Sequence, residues 1–226
     1  MIYKNTKDMP SAMGFTLVTG DKREVVKCPG PRFHTWDLLQ PEPIIGVRYN
    51  KMAGWAILEK QCDIILYFRP YCVVEIGAGE SSKVLALAAE RAGVTFHSVD
   101  IRPEKKAKYF YSHIYHNMTS EEFMDDFEDN PAIVLIDGDH HYEAAKEEFD
   151  FFFEKLVPGG VIFIHDTLPP AKELLVEPAC GDVYKLRQEL EKRTDEMDCF
   201  SWPYSADWMG LTQIIKKEKG RPYWEK

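Results

Sequence analysis

The stretch YCVVEIGAGESSKVLALAAE, Tyr71 to Glu90, most constrains what this chain can fold into: an apolar run ends in a glycine turn that opens a helix-period pattern. Tyr71 to Ile76 is short, β-branched and almost uniformly apolar, as expected of a parallel strand buried on both faces. Val84, Leu87 and Ala88 then recur with helical spacing. Gly77 and Gly79 therefore fall at the carboxyl end of the strand, where a backbone without Cβ turns sharply and admits a ligand closely. Ser81 or Ser82 is expected to cap the helix, whose free N–H groups face the same space.

The turn departs from the dinucleotide fingerprint GxGxxG, because Ser82 stands where the third glycine belongs and Glu75 precedes the turn. A diphosphate has little use for a carboxylate there, whereas an ammonium group is attracted by one, and S-adenosylmethionine carries such a group. Thr95 to Val99 reads as a second strand ending in Asp100, the place of an acid that accepts from ribose hydroxyls. Glu75 and Asp100 are thus expected to hold the two ends of one ligand.

A second constellation follows. Ala132 to Ile136 is another apolar strand that runs into Asp137-Gly138-Asp139-His140-His141-Tyr142. The helix after it, through Leu156, places Ala145, Phe149, Phe152 and Leu156 on one stripe, so it packs on the sheet. Pro158-Gly159-Gly160 ends it, and Val161 to Ile164 makes the next strand, terminating in His165-Asp166-Thr167. Carboxyl ends of neighbouring strands face one crevice in an open α/β sheet. Asp137, Asp139, His165 and Asp166 are therefore expected on one rim with Gly77 and Asp100.

With VEIGAGESS, FHSVD, the block IDGDHHYE to GGVIFIHDT and the terminal GLTQIIKK, the chain resembles the class I S-adenosylmethionine-dependent methyltransferases, most of all the IDGDH-type small-molecule O-methyltransferases. The resemblance covers roughly Tyr71 to Lys217. It implies a Rossmann-like α/β fold: a mostly parallel seven-stranded sheet with an antiparallel last strand and helices on both faces. It implies an N-terminal arm or cap over 1–50 and a methyltransferase domain over 51–226. Cofactor contacts carried over are Glu75, Gly77, Ala78, Gly79, Ser81, Ser82, Asp100, Ile101, Asp137, Gly138 and His140. Asp137, Asp139 and His140 are the implied catalytic groups, and Asp137, His165 and Asp166 the implied ligands of a divalent cation such as magnesium or manganese. An imidazole suits manganese, iron or zinc better than magnesium. The implied reaction moves a methyl group to a hydroxyl of a small molecule. Two other classes stay open: an NAD(P)-dependent oxidoreductase, and a non-catalytic member of the fold acting as an interaction module.

A formal net charge of −9 argues against a partner of duplex nucleic acid, which selects a basic stripe. The five cysteines are scattered without CxxC spacing, so neither a disulfide framework nor a zinc knuckle is indicated, and a reducing cytoplasmic setting is expected. The start MIYKNTKDMP has no apolar signal region and no stretch reads as a membrane span. The expected partner is the small-molecule acceptor, with a homo-oligomer allowed. Before the core, Phe15 to Cys28 alternates around Gly20-Asp21-Lys22 as a hairpin or extended arm. Lys51 to Phe68 reads as a helix, and Phe33, His34, Trp36 and Tyr49 are candidates for the acceptor pocket. Helices are further expected over Pro103 to Phe110, Ser120 to Phe127 and Asp182 to Lys192, with a weak strand at Tyr111 to His116. Asn117, Met118 and Thr119 stand where relatives contact adenine. Asp198 to Trp202 and Leu211 to Ile215 form the closing antiparallel pair, and Trp202, Tyr204 and Trp208 offer a further pocket wall.

Overall fold

The computed structural model describes residues 53–103, 112–176, 179–202 and 209–217. The arm over 1–50, the helix over 103–110, and Tyr204 and Trp208 of the expected pocket wall lie wholly or almost wholly outside them. Seven strands form one sheet: β1 (Val73–Ile76), β2 (Phe96–Val99), β3 (His113–His116), β4 (Ile133–Ile136), β5 (Val161–His165), β6 (Met197–Trp202) and β7 (Leu211–Lys216). Their order is β3-β2-β1-β4-β5-β7-β6. The first five pair in parallel, and β7 runs antiparallel to both β5 and β6, as the sequence implies.

β1, β2 and β4 are buried at every position, which is why β4 reads as a continuous apolar run and β1 as one interrupted only by Glu75, while β2 buries His97 and Ser98 as well. Helices α1 (Ala53–Phe68), α2 (Ser81–Ala92), α3 (Ser120–Asp126), α4 (Tyr142–Lys155) and α5 (Tyr184–Leu190) surround the sheet, with a 3-10 turn at Lys172–Leu174. The stripe Ala145, Phe149, Phe152 and Leu156 is buried against the sheet in one core with Val134, Ile136, Ile162 and Ile164. Removing either phenylalanine from water contributes about 2–3 kcal/mol.

Helix ends are settled by particular residues. α2 stops at Gly93, whose φ of 69° is left-handed. α3 opens with a reciprocal capping box between Thr119 and Glu122. At the start of α4 the Tyr142 N–H donates to Asp182 Oδ1 at 2.6 Å, a cap brought from 40 residues away. At its other end Lys216 Nζ of β7 donates to the carbonyls of Phe153, Glu154 and Leu156, favourable for both the orphan carbonyls and the helix dipole. Strand order reverses between β1 and β4, so a crevice opens at their carboxyl ends. Among the described residues no helix is long and apolar enough to cross a membrane.

Candidate active site

That crevice holds a cavity of about 790 Å³, within the size range of small-molecule sites. Its floor is the glycine turn, Gly77 to Gly79. Gly77 has a φ of 88°, and a Cβ built on it would lie 2.0 Å from the carbonyl oxygen of Asp137. The turns after β1 and β4 therefore touch backbone to backbone, which only glycine permits. Gly77, Ala78, Gly79, Asp100, Ile101, Asp137, Gly138, Asp139, His140, His165 and Asp166, all expected at the site, line this one cavity.

Glu75, Ser81 and Ser82 do not line it. They are buried beneath the turn, where Ser81, Ser82 and Ser98 hydroxyls all donate to the Glu75 carboxylate, at 2.5, 2.6 and 2.8 Å. Burial pushes the Glu75 carboxyl up to about 7, against the pull of those three hydroxyls. The serines also differ from the expected capping role. Glu80 is the residue preceding α2, without a side-chain cap bond, and Ser82 Oγ instead accepts from the Gly79 N–H at 3.0 Å. The reason is geometric: each hydroxyl is aimed back at the buried Glu75 carboxylate, to which it donates its proton, and the one N–H that Ser82 Oγ accepts is that of Gly79 in the turn.

Asp100 stands at the end of β2, facing the cavity. Ala78 N–H donates to its Oδ2 at 3.0 Å, and Arg102 grips both oxygens, through Nε at 2.9 Å and Nη2 at 2.6 Å. Burial would raise the carboxyl, but Arg102 and the backbone donors hold it below the usual carboxylate range. Beyond Asp100 lie Met118, Thr119, Ser120 and Glu148. Glu148 is 2% exposed, its Oε2 has no hydrogen-bond partner, and burial pushes its carboxyl up to about 7. Asn117, placed by sequence beside adenine, instead donates from Nδ2 to the Asp100 carbonyl at 3.0 Å and so shapes the loop.

The opposite wall is polar. His165 Nδ1 lies 2.9 Å from Asp137 Oδ1 and 3.1 Å from Asp166 Oδ1. Burial disfavours its charge, yet the two carboxylates push it up to about 10, which favours the imidazolium. Trp55 of α1 covers it, ring centroids 5.0 Å apart. Asp166 has a φ of 59°, a left-handed conformation that costs a non-glycine residue about 1 kcal/mol and here turns the chain at the cavity. His140 Nδ1 donates to the carbonyl of Ala179, which leaves Nε2 facing Asp166 Oδ2 at 3.2 Å and Asp137 Oδ1 at 3.9 Å. Asp137, His140 and Asp166 offer ligand atoms all within 4.8 Å of one another. One nitrogen and two carboxylate oxygens fit manganese, iron or zinc. Of the expected cation ligands, Asp137 and Asp166 thus converge with His140, while His165 bridges the two acids from the side. Asp139 accepts from the His141 N–H at 3.0 Å at the exposed rim of the cavity.

Glu148 and Arg102 are among the cavity residues that escaped the sequence reading. Glu148 lies three residues after Ala145 and four before Phe152, on the apolar stripe of α4, and that position was the available signal. Arg102 carried none beyond its nearness to Asp100.

Residues 74–167 match the sequence model of a family described as Methyltransferase domain. Over 121 residues the chain is 28% identical to an uncharacterized protein, y4gI, of Sinorhizobium fredii, a match spanning 44% of this chain and 13% of that protein's length. In three dimensions it is similar to the O-methyltransferase TomG from Streptomyces achromogenes, solved with S-adenosylmethionine: TM-score 0.55, 16% identity, 72% of this chain and 81% of that one. It is similar also to an O-methyltransferase from Bacillus cereus solved with S-adenosylhomocysteine: TM-score 0.54, 12% identity, covering 71% and 81%. At such identities the likeness concerns the fold. Residues 74–167 of this chain accordingly match a model described as Methyltransferase domain, and its fold is similar to that of O-methyltransferases solved with S-adenosylmethionine or S-adenosylhomocysteine.

Proposed function

We propose that this chain transfers a methyl group from S-adenosylmethionine to a hydroxyl of a small molecule, with His140 as the base. The observation that carries the reading is the single cavity joining the glycine turn and Asp100 at one end to Asp137, His140, His165 and Asp166 at the other. S-adenosylmethionine supplies an activated methyl carbon on a sulfonium, so the protein's part is placement and proton removal.

In this reading the N–H groups of the turn and the Asp100 carboxylate bind the nucleoside, its ribose hydroxyls displacing Arg102 from oxygens it now occupies. Buried Glu75 acts at one remove: it fixes Ser81 and Ser82, and Ser82 in turn braces Gly79 and so the turn. Glu148, with its unpartnered oxygen beside Ser120, meets the base end. The acceptor lies over the acidic wall, where the His165 imidazolium neutralises Asp137 and Asp166. His140, its Nδ1–H anchored on Ala179, takes the hydroxyl proton at Nε2. A divalent cation held by Asp137, His140 and Asp166 would instead acidify the acceptor hydroxyl directly.

Calorimetry with S-adenosylhomocysteine tests the first half of this reading, and absence of heat at high micromolar ligand would refute it. For the second half, His140→Ala is expected to lower methyl transfer by about 10²- to 10⁴-fold with nucleoside affinity retained. Turnover insensitive to chelators separates the proton-acceptor role from the cation.

A further inference from the structure

At the other end of the sheet, Cys72 precedes β1, His97 is the second residue of β2, and Asp129 lies in the loop leading to β4. We propose that Cys72, His97 and Asp129 form a binding site for a borderline-soft divalent cation, zinc first, separate from the cofactor cavity. Their ligand atoms, one thiol sulfur, one imidazole nitrogen and one carboxylate oxygen, lie within 4.8 Å of one another. That donor set is one zinc accepts, leaving a fourth position for water.

The imidazole argues most strongly for the site. His97 is 8% exposed, and its Nε2 is buried without a hydrogen-bond partner; the nearest acid oxygen, Asp129 Oδ2, is 3.9 Å away. Its other nitrogen, Nδ1, meets His116 Nε2 at 3.1 Å. If His116 were the donor in that pair, His97 would carry its own proton on Nε2, buried and unsatisfied. The favoured tautomer therefore has His97 Nδ1–H donating to His116, which leaves the buried Nε2 lone pair available beside the cluster it forms with Cys72 and Asp129. This is the outer-partner arrangement that orients metal-bound histidines. The stacked His116 ring and the edge of Phe127 hold the imidazole in place, at centroid distances of 5.3 and 5.7 Å. Burial and the neighbouring His116 push His97 down to about 4, so at neutral pH the lone pair is free of a proton.

The other two ligands suit the role in different ways. Cys72 is anchored, since its carbonyl accepts from the Ala132 N–H at 2.9 Å. Asp129 is exposed, with 68% of its side-chain surface accessible, so it can rotate. Zinc bonds of 2.0–2.2 Å place two tetrahedral ligands about 3.3 Å apart, and turning Asp129 closes the difference from 3.9 Å. An open surface pocket, lined by Tyr71, Val94, Thr95 and Asn130 among others, reaches Cys72 and Asp129 and gives access. On binding, the Cys72 S–H bond breaks, the proton passes to water and a metal–sulfur bond forms. Binding of the ion by the thiolate thus releases a proton. The ion would tie β1, β2 and the approach to β4 together.

The experiment uses the full chain, stripped with chelator and titrated with Co²⁺ as a spectroscopic stand-in for zinc. Expected is a sulfur-to-cobalt charge-transfer band that saturates and is bleached by Zn²⁺. The band disappears in Cys72→Ser and persists in Cys180→Ser, whose thiol lies near Asp166, and in Asp137→Asn, which removes the oxygen-rich cluster of the cavity. Exposed Asp129→Asn, which leaves the core untouched, weakens Co²⁺ by more than about tenfold, the least expected when even an outer-shell partner is lost. No band at saturating Co²⁺ overturns the proposal, as does a band that survives Cys72→Ser or an affinity unchanged in Asp129→Asn.

Discussion

Two buried carboxylates behave oppositely to most. Glu148 has a folded pKa of about 7 against an ordinary value of 4.5, so between those values the folded protein binds more protons than the unfolded chain. The sign follows: its contribution to stability falls as pH rises from 4.5 through 7, and is constant above. Glu148→Gln removes this loss, and its stability relative to the native chain is expected to grow by about 3 kcal/mol between pH 4.5 and 8, as read by urea unfolding. Glu75 carries the same raised value but accepts three hydroxyl bonds, so removing it is costly. Glu75→Ala strands those donors in the interior and is expected to destabilise by about 3 kcal/mol or more. Both glutamates also show what one-dimensional reading misses. Glu75 was visible as a residue of interest, yet not which way it faced, because a fully buried strand has no polar side to reveal its orientation.

The turns of the sheet distinguish two kinds of glycine. Gly93 and Gly77 both have left-handed φ, but a Cβ on Gly93 meets nothing within 4 Å, whereas one on Gly77 collides with the Asp137 backbone. Gly93→Ala is therefore expected to cost only about 1–2 kcal/mol, the conformational penalty alone. Gly77→Ala should cost several times more, since either β1 or β4 must shift; parallel chemical-denaturation curves decide. Elements were the most legible level. Glycine ended the run at Ile76, Pro158-Gly159-Gly160 closed off α4, and periodicity separated the strands from α4, so all seven strands were located to within about two residues. What separated the serines after Gly79 from a cap was tertiary: the buried Glu75 lies behind them, and no local pattern records that.

At the scale of the molecule the sheet presents two chemically distinct ends. The carboxyl end gathers carboxylates, an imidazolium and the glycine turn around one cavity; the amino end gathers Cys72, His97 and Asp129. Parallel topology explains why the first was legible, since strand-end residues from distant segments must converge there. The second was not, because Cys72 read as part of a strand and Asp129 as part of a loop. A saturating nucleoside acts on the whole fold: S-adenosylhomocysteine at about 100 times its Kd stabilises by about 2.7 kcal/mol, raising Tm by roughly 5–10 °C, whereas NAD should leave Tm unchanged. Differential scanning fluorimetry would read both. The insertion of β7 between β5 and β6 has a further consequence for biosynthesis. Translation delivers β6 before the strand that joins it to the rest, so a nascent chain halted after Trp202 exposes two unsatisfied edges, those of β5 and β6. The ribosome must deliver residues up to Lys216 before either is shielded from pairing with a stranger.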